Sequence, residues 1–387
     1  MPANPTLTSP LSFGREAAPE ALNLNANKVH QISAVFDRQL AEGLHPGAQL
    51  VVLLRGQVLL DRAAGLAQTR NALPVTPETP FLTFSCSKAF TGICVHRLIE
   101  EGRVELDAPV AHYWPEFGCN GKEKATIRHA FLHQAGIPLA GLNVESLLAW
   151  NWEWTARYVA SLKAEFEPGS QCAYHLVNYG FILGEVVRRV TGQRIDRYLH
   201  DTFLHPLGLK HSFMGLPWGE FKRAAALYLG HPENKTAVNA FNFPLLRHAV
   251  IPAAALNSTA REMATFYQML LNGGSYAGRQ YLRPETIRAA TTMGYHGADS
   301  YIKTQMRWAY GFHLGGGAAA DPSRPSGMGR QSTERTFGHF GQASCMAWAD
   351  PDHELVVAFT CNRLISNRDA DLRWAQLSEA VWAAVKS

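Results

Sequence analysis

The 387-residue sequence has no C-x-x-C pair, no H-E-x-x-H, no H-x-H-x-D-H and no G-x-S-x-G. The first three absences remove the usual signatures of a redox dithiol and of a metallohydrolase, despite sixteen histidines. The fourth removes the nucleophile elbow of the α/β-hydrolases. No apolar run approaches the roughly 20 residues of a membrane span. Charged residues make up only 18%, the net charge is +4, and the basic residues are scattered apart from Arg188-Arg189, so neither nucleic acid nor an anionic membrane is indicated as a partner. Residues 1–26 have no basic start and no continuous apolar core. They read as a flexible N-terminal arm rather than a secretion signal, which makes the cytoplasm the expected location. Six widely spaced cysteines (Cys86, Cys94, Cys119, Cys172, Cys345, Cys361) then read as buried reduced thiols.

What is present is a 47% hydrophobic chain whose patterning falls into blocks. An amphipathic helix is predicted from about Asn27 to Glu42, followed by apolar runs Ala48 to Leu54 and Val58 to Ala64 joined by an Arg55-Gly56 turn. The far end has the same character. Strands are predicted over Thr336 to Gly338, Ser344 to Ala349 and Leu355 to Thr360, and a closing helix over Leu372 to Val385. Between them the periodicity is mainly helical: Ile127 to His133, Val144 to Leu148, Thr155 to Leu162, Tyr179 to Val190, Arg194 to Phe203 and Ala260 to Leu271. The expected architecture is therefore a two-domain α/β (α+β) fold. One antiparallel sheet, flanked by the N- and C-terminal helices, is assembled from residues 27–84 and 311–387; a mainly helical domain, 85–310, is inserted, with a cleft between the two. Gly315 to Arg335, rich in Gly, Ala, Pro and Ser, reads as a mobile loop.

Chemistry concentrates at Ser85-Cys86-Ser87-Lys88. A short apolar segment precedes it and a helix predicted from about Cys86 to Glu101 follows, so Ser85 falls at a helix start, where orphan N–H groups and the dipole favour an oxyanion. Residues i and i+3 share a helix face, which brings the Lys88 amine to the Ser85 hydroxyl. Nearby Phe81, Phe84 and Phe90 would desolvate that amine and lower its pKa, the condition for a lysine base. S-x-x-K is only two fixed letters, and a second copy, Ser300 to Lys303, lies in the polar stretch YHGADSYIKT and reads as a solvated loop. Cys86 is a less favoured candidate than Ser85, since an adjacent helix residue points about 100° away from the face that Ser85 and Lys88 share.

Two further groups give the pair a setting. Tyr174, on a Pro-Gly-bounded segment before a strong helix, can serve as a general base if cations such as Lys88 depress its pKa. His339-Phe340-Gly341-Gln342 falls on or beside a late strand, where a glycine lets substrate approach the backbone and the Gln342 N–H can join that of Ser85 in an oxyanion hole. Trp150, Trp152 and Trp154 are candidates for a pocket wall, with helix packing as the plainer reading.

With S-x-x-K, a Tyr-based second motif and H-F-G at the third position, the sequence resembles the serine β-lactamase and penicillin-recognising superfamily. It is most similar to the class C-like branch that holds the family VIII carboxylesterases. The resemblance runs from about Val29 to Trp382. It implies that Ser85 is the acylated nucleophile, Lys88 its partner and Tyr174 the general base and acid, with His339-Phe340-Gly341 at the K-T-G position and no metal or organic cofactor. Two departures bear on substrate. Leu176 stands where the Asn of Tyr-x-Asn would be, with Asn178 two residues late, and the third motif lacks its Lys and Thr, which a β-lactam carboxylate uses and a neutral ester does not. The expected function is hydrolysis of short-chain carboxylic esters, a small-molecule substrate, with weak β-lactam hydrolysis as a side activity. The alternatives are a class C-like β-lactamase, a D-aminopeptidase, or an acyltransferase using the same serine, and the chain is expected as a monomer or homodimer.

Overall fold

The computed structural model describes residues 9–138, 150–316 and 326–386. The two ends of the chain meet in one nine-stranded antiparallel sheet. Its order is Tyr295–Asp299, Thr304–Trp308, His313–Leu314, Phe337–Gly341, Cys345–Asp350, Leu355–Cys361, Gly47–Leu54, Gln57–Gln68 and Leu73–Pro74. Gly47–Leu54 turns into Gln57–Gln68 through Arg55 and Gly56, both at positive φ (52° and 72°), the backbone sense that matches strand twist in a two-residue hairpin. On its other side the strand registers Ala48 against Cys361.

Every residue of Gly47–Leu54 and Leu355–Cys361 is buried, because the sheet has a core on each face. Strand alternation divides the side chains. Ala48, Leu50, Val52 and Leu54 join Ile32 and Phe36 of the Ala26–Ala41 helix and Trp374, Leu377 and Trp382 of the Asn367–Val385 helix. Val51 and Leu53 join Phe90, Ile93 and Phe266 beneath the Ser87–Glu100 and Ala260–Leu271 helices. Each such side chain contributes about 2 kcal/mol relative to exposure.

The mainly helical part also contains Trp152–Ser161 and Asn178–Thr191. Ser87–Glu100 is buried over most of its surface rather than along one stripe, so Lys88, Thr91 and His96 are internal together with the predicted apolar residues. The predicted helix over Val144 to Leu148 lies outside the described residues, as does residue 317–325 of the predicted loop.

Two expectations need correction. Residues 295–308, placed by the sequence in the helical insertion, form the outer hairpin of the large sheet, and Ser300 to Lys303 is its exposed tip. The residues are polar because the hairpin is an edge, so the alternation of apolar residues that marks a buried strand is missing. The N-terminal arm is also tied down from residue 9 onward wherever contacts are made. The Leu11 N–H donates to Tyr276 Oη (2.9 Å), the Gly14 N–H to Asp61 (2.9 Å) and the Ala17 N–H to the Val58 carbonyl (2.8 Å), and Leu22 is buried in the core.

Candidate active site

Ser85 lies in a 3-10 turn, Phe84–Cys86, that runs into the Ser87–Glu100 helix. The turn begins with Phe84 at φ 44°, a left-handed conformation that costs a non-glycine residue roughly 1–2 kcal/mol. It is held from two sides. Thr83 donates its N–H (2.8 Å) and its hydroxyl (2.9 Å) to the Leu256 carbonyl, and the Leu256 N–H donates back to Ser87 Oγ (2.9 Å). From the sheet, Cys86 Sγ donates to the His339 carbonyl (3.2 Å) and Cys345 Sγ to the Thr83 carbonyl (2.8 Å). Gly341 is required here: a Cβ on it would sit 2.2 Å from the Thr83 carbonyl oxygen and 2.3 Å from Cys345 Sγ. The sequence reading reserved that space for substrate; the protein's own nucleophile turn fills it.

Lys88 is fully buried, with Nζ 3.2 Å from Ser85 Oγ, 2.8 Å from the Leu176 carbonyl and 3.3 Å from the Ala253 carbonyl. Burial pushes its pKa well below the ordinary lysine value, against a smaller opposing effect of the neighbouring Cys86. A neutral amine has two N–H donors and one lone pair. In that form, which burial favours, the two carbonyls can take the donors and the lone pair can face the Ser85 hydroxyl. The rings over the amine are those of Tyr174 (4.6 Å to the centroid) and Tyr179 (5.8 Å), whereas Phe84 packs on Phe241 and Phe90 on Phe266. The Ala253 carbonyl gets this close because Gly180 lets the Asn178–Thr191 helix lie on the Pro252–Ala253 backbone, where a Cβ would meet the Ala253 nitrogen at 2.3 Å.

Tyr174 is buried between His133 (ring centroids 4.6 Å) and Trp308 (5.5 Å, planes within 12°), and its side chain hydrogen-bonds Ser85. Burial raises its pKa, and the Ser85 hydrogen bond only partly offsets this. The depressed phenolate pKa expected from the sequence is therefore corrected: the resting side chain is a neutral phenol. Its backbone N–H donates to Asp299 Oδ1 (3.2 Å), which also accepts from the N–H groups of Tyr301 (2.9 Å) and Ile302 (2.8 Å). Asp299 was missed by the sequence reading. The available signal was an Asp two residues before a turn N–H, a common side-chain-to-backbone turn.

At the position that the sequence resemblance matches to K-T-G, His339 is buried, its Nδ1 2.8 Å from the Phe340 carbonyl and its ring against His313 (4.6 Å). Burial above all, then the neighbouring His313 and the charged form of Lys88, push its pKa well below the usual histidine range, so it is neutral and does not replace the missing ammonium. Asn178 turns away from the Lys88 amine, its Nδ2 donating to the Ile137 carbonyl (2.7 Å), and the Leu176 carbonyl is the acceptor that Lys88 uses.

Ser85 borders two cavities, of about 590 and 440 Å³, which also share Leu176, Tyr301 and Gln342. Phe340 and Gly341 line the larger. Gln342 is steadied by its Nε2 donating to Asn234 Oδ1 (2.7 Å). The three candidate tryptophans part company. Trp154 lines the smaller cavity, stacked on Tyr158; Trp152 is a packing residue whose Nε1 donates to Glu185 (2.8 Å); Trp150 is exposed. Among the described residues no group of three or more His, Cys, Asp or Glu side chains is set to hold a metal ion, and no helix is long and apolar enough to cross a membrane.

The chain is 27% identical over 349 residues to the esterase/beta-lactamase LipL of Mycobacterium tuberculosis, covering 83% of this chain and 78% of that protein. Among solved structures it resembles a penicillin-binding protein homologue from Caulobacter crescentus (TM-score 0.80, 30% identity, 92% of this chain and 97% of that one). It is equally similar in fold to a family VIII carboxylesterase (TM-score 0.80, 26% identity, 91% and 97%). The sequence profile described as Beta-lactamase matches residues 32–381, nearly the whole chain. The chain therefore belongs to the Beta-lactamase family, and is a serine hydrolase of the β-lactamase and penicillin-recognising superfamily.

Proposed function

We propose that the protein is a serine carboxylesterase working through a covalent acyl-serine. Lys88 takes the Ser85 proton as Oγ attacks the ester carbonyl, and the backbone N–H groups of Ser85 and Gln342 hold the oxyanion. Tyr174 gives its proton to the departing alcohol oxygen and is reprotonated from Lys88. Water then attacks the acyl-serine along the reverse proton path, releasing the acid and restoring the Ser85 hydroxyl. The observation that carries this reading is the buried Lys88 amine, with two carbonyls for its donors and Ser85 Oγ 3.2 Å away for its lone pair.

Esters are favoured over β-lactams because the third motif offers a neutral histidine where a β-lactam carboxylate needs a cation. The guanidinium that does border the larger cavity, Arg307, already faces Glu334 at 3.6 Å. Initial rates on a p-nitrophenyl ester and a chromogenic cephalosporin test the order, and a preference for the cephalosporin reverses it. Intact mass after a phosphonate inhibitor tests the nucleophile. An adduct lost in Ser85→Ala and retained in Ser300→Ala is expected; an adduct on Cys86 or Ser300 overturns the assignment.

A further inference from the structure

The two cavities that meet at Ser85 differ in chemistry. The larger is bordered by Tyr174, Arg307, His313 and Asp371. The smaller is walled mainly by apolar side chains, among them Val159, Phe181, Ala240, Phe241, Leu246 and Ile251, with Asn178, Asn234 and Thr236 also on its border, and its single charged residue among those described, Glu233, is occupied in accepting the Asn367 N–H (2.6 Å). Its volume is about 440 Å³. An acetyl group has three non-hydrogen atoms, so a short acyl chain would leave most of this apolar space unfilled.

We propose that the smaller cavity is the acyl pocket and the larger one admits the alcohol and then water, so that preferred substrates carry a bulky apolar acyl group of about six to ten carbons. This rests on Ser85 being the acylated nucleophile. The assignment of sides follows from the proton donor. In the tetrahedral intermediate the carbonyl carbon bears Ser85 Oγ, the oxyanion, the alcohol oxygen and the acyl carbon, and the alcohol oxygen must lie within hydrogen-bond reach of the group that protonates it. Tyr174 borders only the larger cavity. The C–O bond that breaks therefore points there, the alkoxide oxygen takes the Tyr174 proton as it leaves, and the acyl carbon is directed into the apolar cavity. Water replaces the alcohol on the side where the same phenol stands.

A p-nitrophenyl ester series with acyl chains of two to ten carbons tests this with a constant leaving group. Each buried methylene is worth about 0.8 kcal/mol, so kcat/KM is expected to rise about fourfold per added carbon until the pocket is filled. Ala240→Trp, which fills the cavity, is expected to lower the octanoate-to-acetate ratio of kcat/KM at least tenfold, while the order of preference among acetate esters of different alcohols stays the same. Phe241→Ala is the complementary change and should move the optimum to longer chains. A wild-type profile that is flat or falls from acetate to octanoate overturns the proposal, as does an effect of these substitutions on the alcohol series instead of the acyl series. Phosphonate labelling of wild-type Ser85 keeps the two claims apart: labelling with a flat chain-length profile overturns the acyl pocket alone, and absence of labelling overturns the nucleophile reading beneath it.

Discussion

The side-chain nitrogen of Lys88 lies 4.6 Å from the centroid of the Tyr174 ring, and both groups touch the hydroxyl of Ser85. Burial drives the two pKa values in opposite directions, the amine's down and the phenol's up, so each is shifted towards its uncharged form. A neutral amine is ready to accept a proton and a neutral phenol to give one. Two titratable groups with environments that push their pKa values apart divide acid and base work between them.

The buried amine makes stability depend on pH in a defined sense. The folded-state pKa of Lys88 lies below that of the unfolded chain, about 10.4. Between these values the unfolded state binds one proton more, so wild-type stability rises with pH, by about 1.4 kcal/mol per unit, and the contribution is lost as pH falls. Lys88→Met does not titrate. Denaturant unfolding of both proteins at pH values approaching 10 should show wild type gaining on the variant at up to this slope; parallel curves would mean that the folded amine is charged.

If Tyr174 is the acid, Tyr174→Phe should be most harmful where the leaving group most needs a proton. Loss of a positioned acid is worth about 10²–10⁴-fold. That loss is expected for esters of simple alkyl alcohols, and a much smaller one for p-nitrophenyl esters, whose leaving group departs as a stable anion. Equal losses on both would point to a packing role for the ring between His133 and Trp308.

The acid limb of the pH–rate profile should belong to Lys88, since protonation consumes its lone pair and kcat/KM falls as pH drops through its folded pKa. His339 stands close by but is already neutral. His339→Gln should leave the position of that limb where it is, even if the rate changes. A displaced limb in the variant would make His339 the titrating group.

A separate titration is expected outside the two cavities that meet at Ser85. Glu262 accepts the His211 N–H at both carboxylate oxygens (2.8 and 3.1 Å) and the Ser212 hydroxyl (2.6 Å), yet burial raises its pKa to about 7. Across about pH 4.5 to 7 the folded protein holds a proton that the unfolded chain has released, so stability falls as pH rises through this window, by ~3 kcal/mol in all. Relative to Glu262→Gln, wild type should lose this amount between the two ends of the window and then stay level. Denaturation at pH 4.5 and 7.5 measures it.

The residues with reactive side chains were legible because their chemistry is written in residue type and spacing: Ser85 and Lys88 one turn apart, Tyr174 before a helix, a glycine-bearing strand near the end. The terminal blocks of the fold were legible for a related reason, since Ala48 to Leu54 and Leu355 to Thr360 are largely apolar runs buried on both faces. Much of what tunes the site is backbone. The Leu176 and Ala253 carbonyls that hold Lys88 could have come from any residue, and nothing in the letters marks them. The pKa of Tyr174 depends on how deeply it is buried among His133 and Trp308, a long-range outcome of packing. The outer hairpin was hidden because polar edge strands lack the alternation by which strands are recognised, and Asp299 was hidden with it.

The pairing of Ala48 with Cys361 joins positions about three hundred residues apart. A chain that leaves the ribosome N-terminus first can close the Gly47–Leu54 hairpin early, but one edge of that apolar strand has no partner until the last strand has been synthesised. Such distant pairing makes folding slow and leaves sticky surface exposed meanwhile. The serine turn shares this delay, because its contacts to His339, Gly341 and Cys345 also come late. Catalytic competence is thus withheld until residues 337–361 have been made, and until then a nascent chain carries its nucleophile without the surroundings that make it reactive.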